Sequence, residues 1–322
     1  MAEPAIVIED LTVRFRGKAA VNRLNLSVPA GSVYALLGDN GAGKSTTMKV
    51  LTGQQPPDSG QATILGLDCY AQAYALRHRV GFVPEKPKFY DWMSVSEIGW
   101  FTGGFHRETY RELYLDWVQQ LRLDPKKKLK ELSKGGYARV GLALALAAEP
   151  AVLILDEPTS GLDRRTRREF LSTLVELAAE GRTILISSHS ISELERFASH
   201  AAFVKDGQVV LAATLDELAE RFKRITFRSV GPPPDFSRVG DVVDQSRIGK
   251  TWQVVFRNPD ADAMAMFMAS PGIDDFESSR LSLEEVYDAV LGKPADRERL
   301  APIGEVPGED ELDDHYDEDA AT

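Results

Sequence analysis

Cysteine is all but missing. Cys69 is the single one in 322 residues, so no intrachain disulfide and no cysteine-built zinc site can form, which suits a reducing compartment. Long apolar runs are missing too. No stretch approaches the ~18 to 20 apolar residues that a membrane-spanning helix needs. The most apolar region, Val140–Leu155, is broken by Glu149 and Pro150 and reads as a buried helix followed by a buried strand. The opening MAEPAIVIEDL has neither the basic start nor the apolar core of a signal peptide, so a cytoplasmic location is expected. A positive charge excess is also absent. The formal net charge is −11, and residues 293–322 set eleven acids against Lys293, Arg297 and Arg299, which leaves about −3 for the rest. A nearly balanced body offers no footprint for nucleic acid, and none is expected as a partner. What remains, 43% hydrophobic and 27% charged residues, is enough for one large domain plus a smaller one.

Strands alternate with helices along most of the chain. IVIEDLTVRF and LNLSVPAG alternate in hydrophobicity and read as strands of a mixed sheet. The apolar run Val33–Leu37 leads into a glycine-rich turn and a helix from Lys44 onward. Further strands are predicted at Ala151–Leu155, Thr183–Ser187, Ala201–Val204 and Gln208–Leu211, with helices at Val140–Ala148 and Arg164–Ala179. That order implies an α/β fold with a largely parallel central sheet. Residues 91–131, rich in aromatic and long side chains at helical spacing, read as a helical insertion, which the predicted domain map extends to about 91–148. Trp100 and Trp117 within it are expected in its core. Around Phe222–Arg228 the pattern changes, and Gly231-Pro232-Pro233-Pro234 cannot continue a regular element. A strand (Trp252–Phe256), a helix (Ala261–Ala269) and a last helix are predicted beyond it. Ser282 and Glu285 form a capping box for that helix, Leu283, Val286, Tyr287, Val290 and Leu291 its apolar face, and Gly292 its stop. The expected domains are 1–222, 223–292 and an acidic, disordered tail at 293–322.

Gly38-Asp39-Asn40-Gly41-Ala42-Gly43-Lys44-Ser45 fits G-x-x-x-x-G-K-[ST] at every position. Glycines at this spacing let successive backbone N–H groups turn inward around a phosphate, and the helix starting near Lys44 points its positive end at the anion. Lys44 adds a mobile charge for the β and γ oxygens, and the Ser45 hydroxyl can ligate Mg2+. Val152–Asp156 is a buried strand ending in two acids, Asp156 and Glu157. Asp156 at its tip suits a metal hydration shell, and Glu157 suits the acceptance of a proton from an attacking water. The two elements together imply an NTPase.

With these residues in view, residues 4–222 resemble the ATP-binding subunits of ABC transporters. Leu132-Ser133-Lys134-Gly135-Gly136 is similar to that family's signature loop, Ser160-Gly161-Leu162-Asp163 to its D-loop, and Ser188-His189 to its switch histidine. The resemblance implies an α/β P-loop NTPase with a mostly parallel central sheet, an N-terminal antiparallel β subdomain and a helical signature subdomain. Ile225–Gly292 resembles the small α+β C-terminal domain of exporter-type members. The implied activity is ATP hydrolysis by two domains closing head to tail on ATP, as a homodimer or a heterodimer, to drive a separate polytopic permease at the inner face of the cell membrane. The resemblance assigns ATP contacts to Phe15 (stacking on adenine), Val21, Gly38 through Thr46, Ser133, Gly135, Gly136, Asp163 and His189. Glu157 would be the general base, with Lys44 and His189 assisting, and Ser45, Glu85 and Asp156 would hold Mg2+.

Two departures stand out. The signature reads LSKGG where the family has LSGGQ, although Ser133 and Gly135 keep the phosphate-contacting positions. Glu85 stands where the family places a glutamine, and a carboxylate ligates Mg2+ more strongly than an amide. The run Lys86–Met93, dense in aromatics, borders in the family the groove for a short helix of the membrane subunit; ordinary packing explains it equally well. His78, His106 and His200 carry no motif, and the basic run Lys126–Lys130 reads as a solvated loop. The alternative function is an ATPase acting on ribosomes or DNA. A GTPase would need a base-reading N-K-x-D loop, which the sequence lacks.

Overall fold

The computed structural model describes residues 3–229 and 235–291. β1 (Pro4–Phe15) and β2 (Lys18–Pro29) form an antiparallel hairpin. Their two-residue connection, Arg16-Gly17, takes φ values of 50° and 81°, the left-handed pair that matches strand twist. β4 (Ser59–Ile64) lies on the other side of β1, and β5 (Leu67–Asp68) closes the order β2-β1-β4-β5. The first two strands thus belong to an antiparallel sheet of their own and not to a mixed one.

The second sheet carries the chemistry. It comprises β3 (Val33–Leu37), β6 (Val80–Val83), β7 (Val152–Asp156), β8 (Thr183–Ser188), β9 (His200–Lys205) and β10 (Gln208–Thr214), in the order β10-β9-β3-β8-β7-β6. β9, β3, β8, β7 and β6 run parallel, and β10 pairs antiparallel at the edge. Every residue of β3, β7 and β8 is buried. Strands covered on both faces read as unbroken apolar runs, which is why they were legible without alternation. α1 (Lys44–Leu51) follows β3, and α6 (Arg164–Ala179) joins β7 to β8. Three short helices, α2 (Ala73–Leu76), α7 (Ile191–Leu194) and α8 (Leu215–Arg221), fill connections.

The helical region contains α3 (Val95–Gly103), α4 (Tyr110–Gln120) and α5 (Lys134–Leu146). A capping box starts α3: Ser94 Oγ accepts from Glu97 N and Glu97 Oε2 accepts from Ser94 N. Tyr114 lies on Gly99, where any side chain would strike its ring, and donates to Val95 O at 2.7 Å. Tyr110 reaches Leu144 O of α5 at 2.8 Å. Trp100, expected in the core, is 63% exposed and carries the Arg111 guanidinium over its ring. The neighbouring Gly99, not Trp100, is the residue that α3 turns against Tyr114 of α4.

The chain divides into two compact units. One takes the residues up to Lys223 together with Ser279–Leu291, and the other spans Arg224–Ser278. The second unit is built on β11 (Phe222–Ser229), β12 (Asp241–Ile248), β13 (Thr251–Arg257), α9 (Ala261–Met268) and β14 (Ile273–Arg280), with the sheet order β12-β13-β11-β14. Phe227, Phe236, Trp252, Phe256 and Phe267 make its core. The last helix, α10 (Leu283–Leu291), starts on the predicted capping box but belongs to the first unit, not to the C-terminal domain in which the sequence reading places it. Its buried face, Leu283, Val286 and Leu291, packs there. Pro232–Pro234, Gly292 and the tail at 293–322 lie outside the described residues.

Candidate nucleotide site

The parallel strands converge on one end of the sheet. In the ladder Leu37 of β3 is level with Ser188 of β8, and Ser187 with Asp156 of β7. The loops leaving these strands therefore meet outside their carboxyl ends, where open α/β sheets place ligands. The loop after β3 curls into a cradle whose shape depends on two glycines. A Cβ on Gly38 would collide with Val204 O of β9. Gly43, at φ 108°, is left-handed, and a Cβ there would sit 2.5 Å from Ala20 O. Ala42 N donates to Asp39 O at 3.1 Å and closes the turn.

Lys44 folds back into this loop. Its Nζ donates to Gly38 O at 2.6 Å and Asp39 O at 3.2 Å, and lies 3.9 Å from Glu157 Oε1. Burial pushes its pKa down, opposed by the negative charge of Glu157, Asp156 and Asp39. The ammonium is held with carbonyl ligands and no bidentate partner, so an arriving phosphate replaces weak contacts with a charge-assisted one.

Asp156, Glu157, Ser187 and His189 form one connected network. Asp156 Oδ1 accepts from Ser45 Oγ at 3.0 Å and from Ser187 Oγ at 2.8 Å. Ser187 Oγ in turn accepts from Glu157 N at 2.9 Å. Glu157 takes the left-handed φ of 47°, an uncommon state for a non-glycine residue that marks sites where the surroundings over-determine the backbone. The turn brings its carboxylate back to the cradle: Oε2 contacts His189 Nδ1 at 2.7 Å and accepts from His189 N at 3.3 Å. The other oxygen, Oε1, is buried with no hydrogen-bond partner. An orphaned buried carboxylate oxygen is costly unless a ligand or water completes it.

The resulting cavity, about 330 Å³, is lined by residues 39–46 with Ala20, Glu85, Glu157, Ser160 and His189. Most of the residues expected at the nucleotide are gathered here. Others are not. Val21 is fully buried in the core of the first unit, and its strand neighbour Ala20 faces the cradle instead, because successive side chains of a strand point to opposite faces. Phe15, 46% exposed, is not among the lining residues. Ser133 lines a second cavity with Lys134, Tyr137, Glu85, Ser160 and Gly161. There its hydroxyl caps α5 by accepting from Gly136 N at 3.2 Å. Gly135 and Gly136 are buried, and any side chain on Gly135 would strike Thr166 Cγ2 of α6. Asp163 caps α6 by accepting from Arg165 N and Thr166 N, and those bonds, Thr166's foremost, hold its carboxyl below the usual range. Ser187 was missed as a site residue; its place at the strand end next to Ser188-His189 was the available signal. Tyr287, treated as packing, donates to Asp39 Oδ1 at 2.9 Å.

Ser45 and Asp156 present hard oxygens side by side, with Glu85 on the same cavity. That donor set suits Mg2+, which takes few protein ligands and completes its shell with water and substrate phosphate. Among the described residues no cluster of three or more His, Cys, Asp or Glu could hold a metal without such help, and no helix is long and apolar enough to cross a membrane.

Comparison with known proteins places this architecture. The family model described as ABC transporter matches residues 21–160, and a model of an AAA domain matches 136–195. The chain is 35% identical over 219 residues to the bacitracin transport ATP-binding protein of Bacillus licheniformis, covering 67% of this chain and 71% of that one. To the Nod factor export ATP-binding protein I of Burkholderia lata it is 37% identical over 212 residues, covering 64% and 70%. Mouse ATP-binding cassette sub-family A member 7 matches over 88% of this chain at 30% identity, and this chain spans 14% of that protein. Among solved structures, an ATP-binding subunit of an ABC transporter superimposes with a TM-score of 0.61 at 27% identity, covering 66% of this chain and 91% of that chain. A Clostridium perfringens protein that is part of an ABC transporter complex gives 0.60 at 29%, covering 67% and 90%. The chain belongs to the ATP-binding subunits of ABC transporters, a family of ATPases.

Proposed function

We propose that this subunit hydrolyses Mg2+-ATP at an interface between two copies and so drives a separate membrane permease in export. The observation that carries the chemistry is Glu157: a buried carboxylate whose Oε1 has no hydrogen-bond partner and lies 3.9 Å from Lys44 Nζ. A water between that oxygen and a γ-phosphate in the cradle would give its proton to Oε1 as it attacks. Lys44 would follow the charge developing on the β and γ oxygens. His189, bonded to Glu157 through Nδ1, would fix the carboxylate's direction and leave its other nitrogen for the γ-phosphate. Ser45, Asp156 and Glu85 would hold Mg2+, which when bound neutralises phosphate charge.

Ser133 supports the two-copy reading. It lines a different cavity from the cradle of its own chain, and the positive end of its helix α5 would favour an anion arriving from outside. A second copy docked head to tail would supply that anion as ATP. Asp163, next to this cavity, is proposed to couple the two sites. Exposed aromatics support a permease contact on the helical region. Tyr90 and Trp92 lie in open solvent, and Tyr90 meets Phe101 edge-on. Such a patch marks an interaction site. Export is inferred from the bacitracin transport and Nod factor export relatives, which favour it over the ribosome or DNA alternative. The subunit would lie on the inner face of the cell membrane through its permease.

Glu157→Gln tests the assignment. It is expected to abolish turnover while ATP binding persists and the ATP-bound dimer accumulates. Hydrolysis at the unsubstituted rate would overturn the assignment of Glu157. Affinity capture of the tagged chain from gently solubilised membranes tests the transport claim: a polytopic protein in comparable yield is expected, and recovery with soluble partners alone would contradict it.

A further inference from the structure

Helix α10 touches the phosphate loop at its middle. Tyr287 donates its hydroxyl hydrogen to Asp39 Oδ1 at 2.9 Å, a contact spanning 248 residues of chain. The helix is fixed by three further contacts. Leu283 N donates to Glu195 Oε1 at 3.0 Å, the Tyr287 ring meets Phe203 edge-on with centroids 5.6 Å apart, and Lys205 Nζ donates to Leu291 O at 3.3 Å. Phe203 lies on β9 level with Leu37, the residue before the cradle, and the next residue on β9 is Val204, whose carbonyl abuts Gly38. One strand therefore supports both the first glycine of the cradle and the tyrosine that grips its second residue.

Asp39 is an odd member of an anion-binding loop. It is the only acid among residues 38–46, and it lines the cavity that takes the phosphates. Among the described residues, the Tyr287 hydroxyl is the one hydrogen-bond donor to its carboxylate. A free carboxylate on the wall of that cavity would repel a triphosphate in a partly dehydrated site. The phenol is suited to restrain it. Burial, and then the bond to Asp39, push the Tyr287 pKa up, so the hydroxyl stays protonated and donating throughout the range in which proteins work.

We propose that Tyr287 is a positioning residue of the nucleotide site. Its hydrogen bond holds the Asp39 carboxylate away from the seat of the β- and γ-phosphates and sets the first turn of the loop. The C-terminal helix is then a working part of the ATP site. This rests on the reading that the cradle binds a nucleoside triphosphate; it needs neither the second copy nor the permease.

The test uses the full chain carrying Glu157→Gln, so that binding is read without turnover. Adding Tyr287→Phe is expected to weaken ATP binding about five- to tenfold, less than the full worth of a charge-assisted hydrogen bond because the lost bond acts on ATP only through Asp39, with AMP affinity unchanged because AMP lacks the repelled phosphates. Adding Asp39→Asn to that chain removes the charge and is expected to restore ATP affinity to within about twofold. With Glu157 intact, Tyr287→Phe should raise KM for ATP and leave kcat within about twofold. A helix that merely staples the fold would instead lower the melting temperature and would not be rescued at Asp39. Unchanged ATP affinity in Tyr287→Phe, or a loss that Asp39→Asn does not repair, overturns the proposal. Absence of ATP binding before Tyr287 is touched would overturn the triphosphate reading itself, and the proposal with it.

Discussion

The cradle and the signature loop are both glycine-rich turns that open a helix, yet only one is furnished by its own chain. Around the cradle, Lys44, Ser45, Asp156, Glu157, Ser187 and His189 form a connected set. At the signature loop, Ser133 Oγ caps its own helix, and Lys134 is exposed, with no acid paired to it among the described residues. The glycines differ in the same sense. Those of the cradle, Gly38 and Gly43, let the backbone curve against neighbouring carbonyls, whereas Gly135 lets α5 approach α6 at Thr166. A binding surface is complete in the first place and merely presented in the second, which is what a site shared between two copies requires.

That contrast can be broken from the cradle side most severely. Lys44→Ala should lower ATP affinity of the single chain by about 100-fold or more, since a buried charge-assisted contact to phosphate is lost; ligand titration measures it. Ser133→Ala in the same titration should change affinity by less than about twofold. Glu157→Gln should cut kcat by roughly 10²- to 10⁴-fold with ATP affinity retained, separating chemistry from binding within the cradle. A smaller effect sharpens the packing half of the contrast. Gly135→Ala forces a methyl group into Thr166 and should destabilise the first unit by about 1–3 kcal/mol, read by thermal melting.

The smallest effect is acid-dependent. Asp163 caps α6, and its folded pKa is depressed below the ordinary 3.8 by the bonds from Thr166 and Arg165. A carboxyl with a lowered folded pKa contributes stability that is present above its unfolded value and is lost as pH falls through the folded one. Melting temperatures measured from about pH 5 downward should therefore fall more gently in Asp163→Asn than in the unsubstituted chain.

Much of the site was legible because its chemistry demands fixed spacing along the chain. The cradle motif, the acids closing Val152–Asp156 and the Ser188-His189 pair each sit at the end of a strand buried on both faces, where an unbroken apolar run announces the element. Features made by distant chain segments were not legible. Ser187 stands at a strand end beside Ser188-His189, but only the pairing of β8 with β7 makes it the hub between Asp156 and Glu157, and nothing local sends Tyr287 to Asp39. Val21 and Ala20 differ by one position on β2, and the phase of that strand was set by pairing with β1. Trp100 was misplaced for a similar reason: α3 buries Gly99 against Tyr114, and hydrophobicity alone does not reveal that the smaller residue faces inward. β12 and β14 were missed because their exposed, polar residues obscure the alternation that identifies a strand.

The most direct measurement is sedimentation of the Glu157→Gln chain with and without Mg2+-ATP, repeated with Ser133→Arg added. If each ATP lies between the cradle of one copy and Ser133 of another, the first protein will be monomeric without ATP and dimeric with it. The second will bind ATP with unchanged single-chain affinity and stay monomeric. A Glu157→Gln chain that remains monomeric at saturating ATP, or a Ser133→Arg chain that dimerises equally well, would contradict a site shared between two copies.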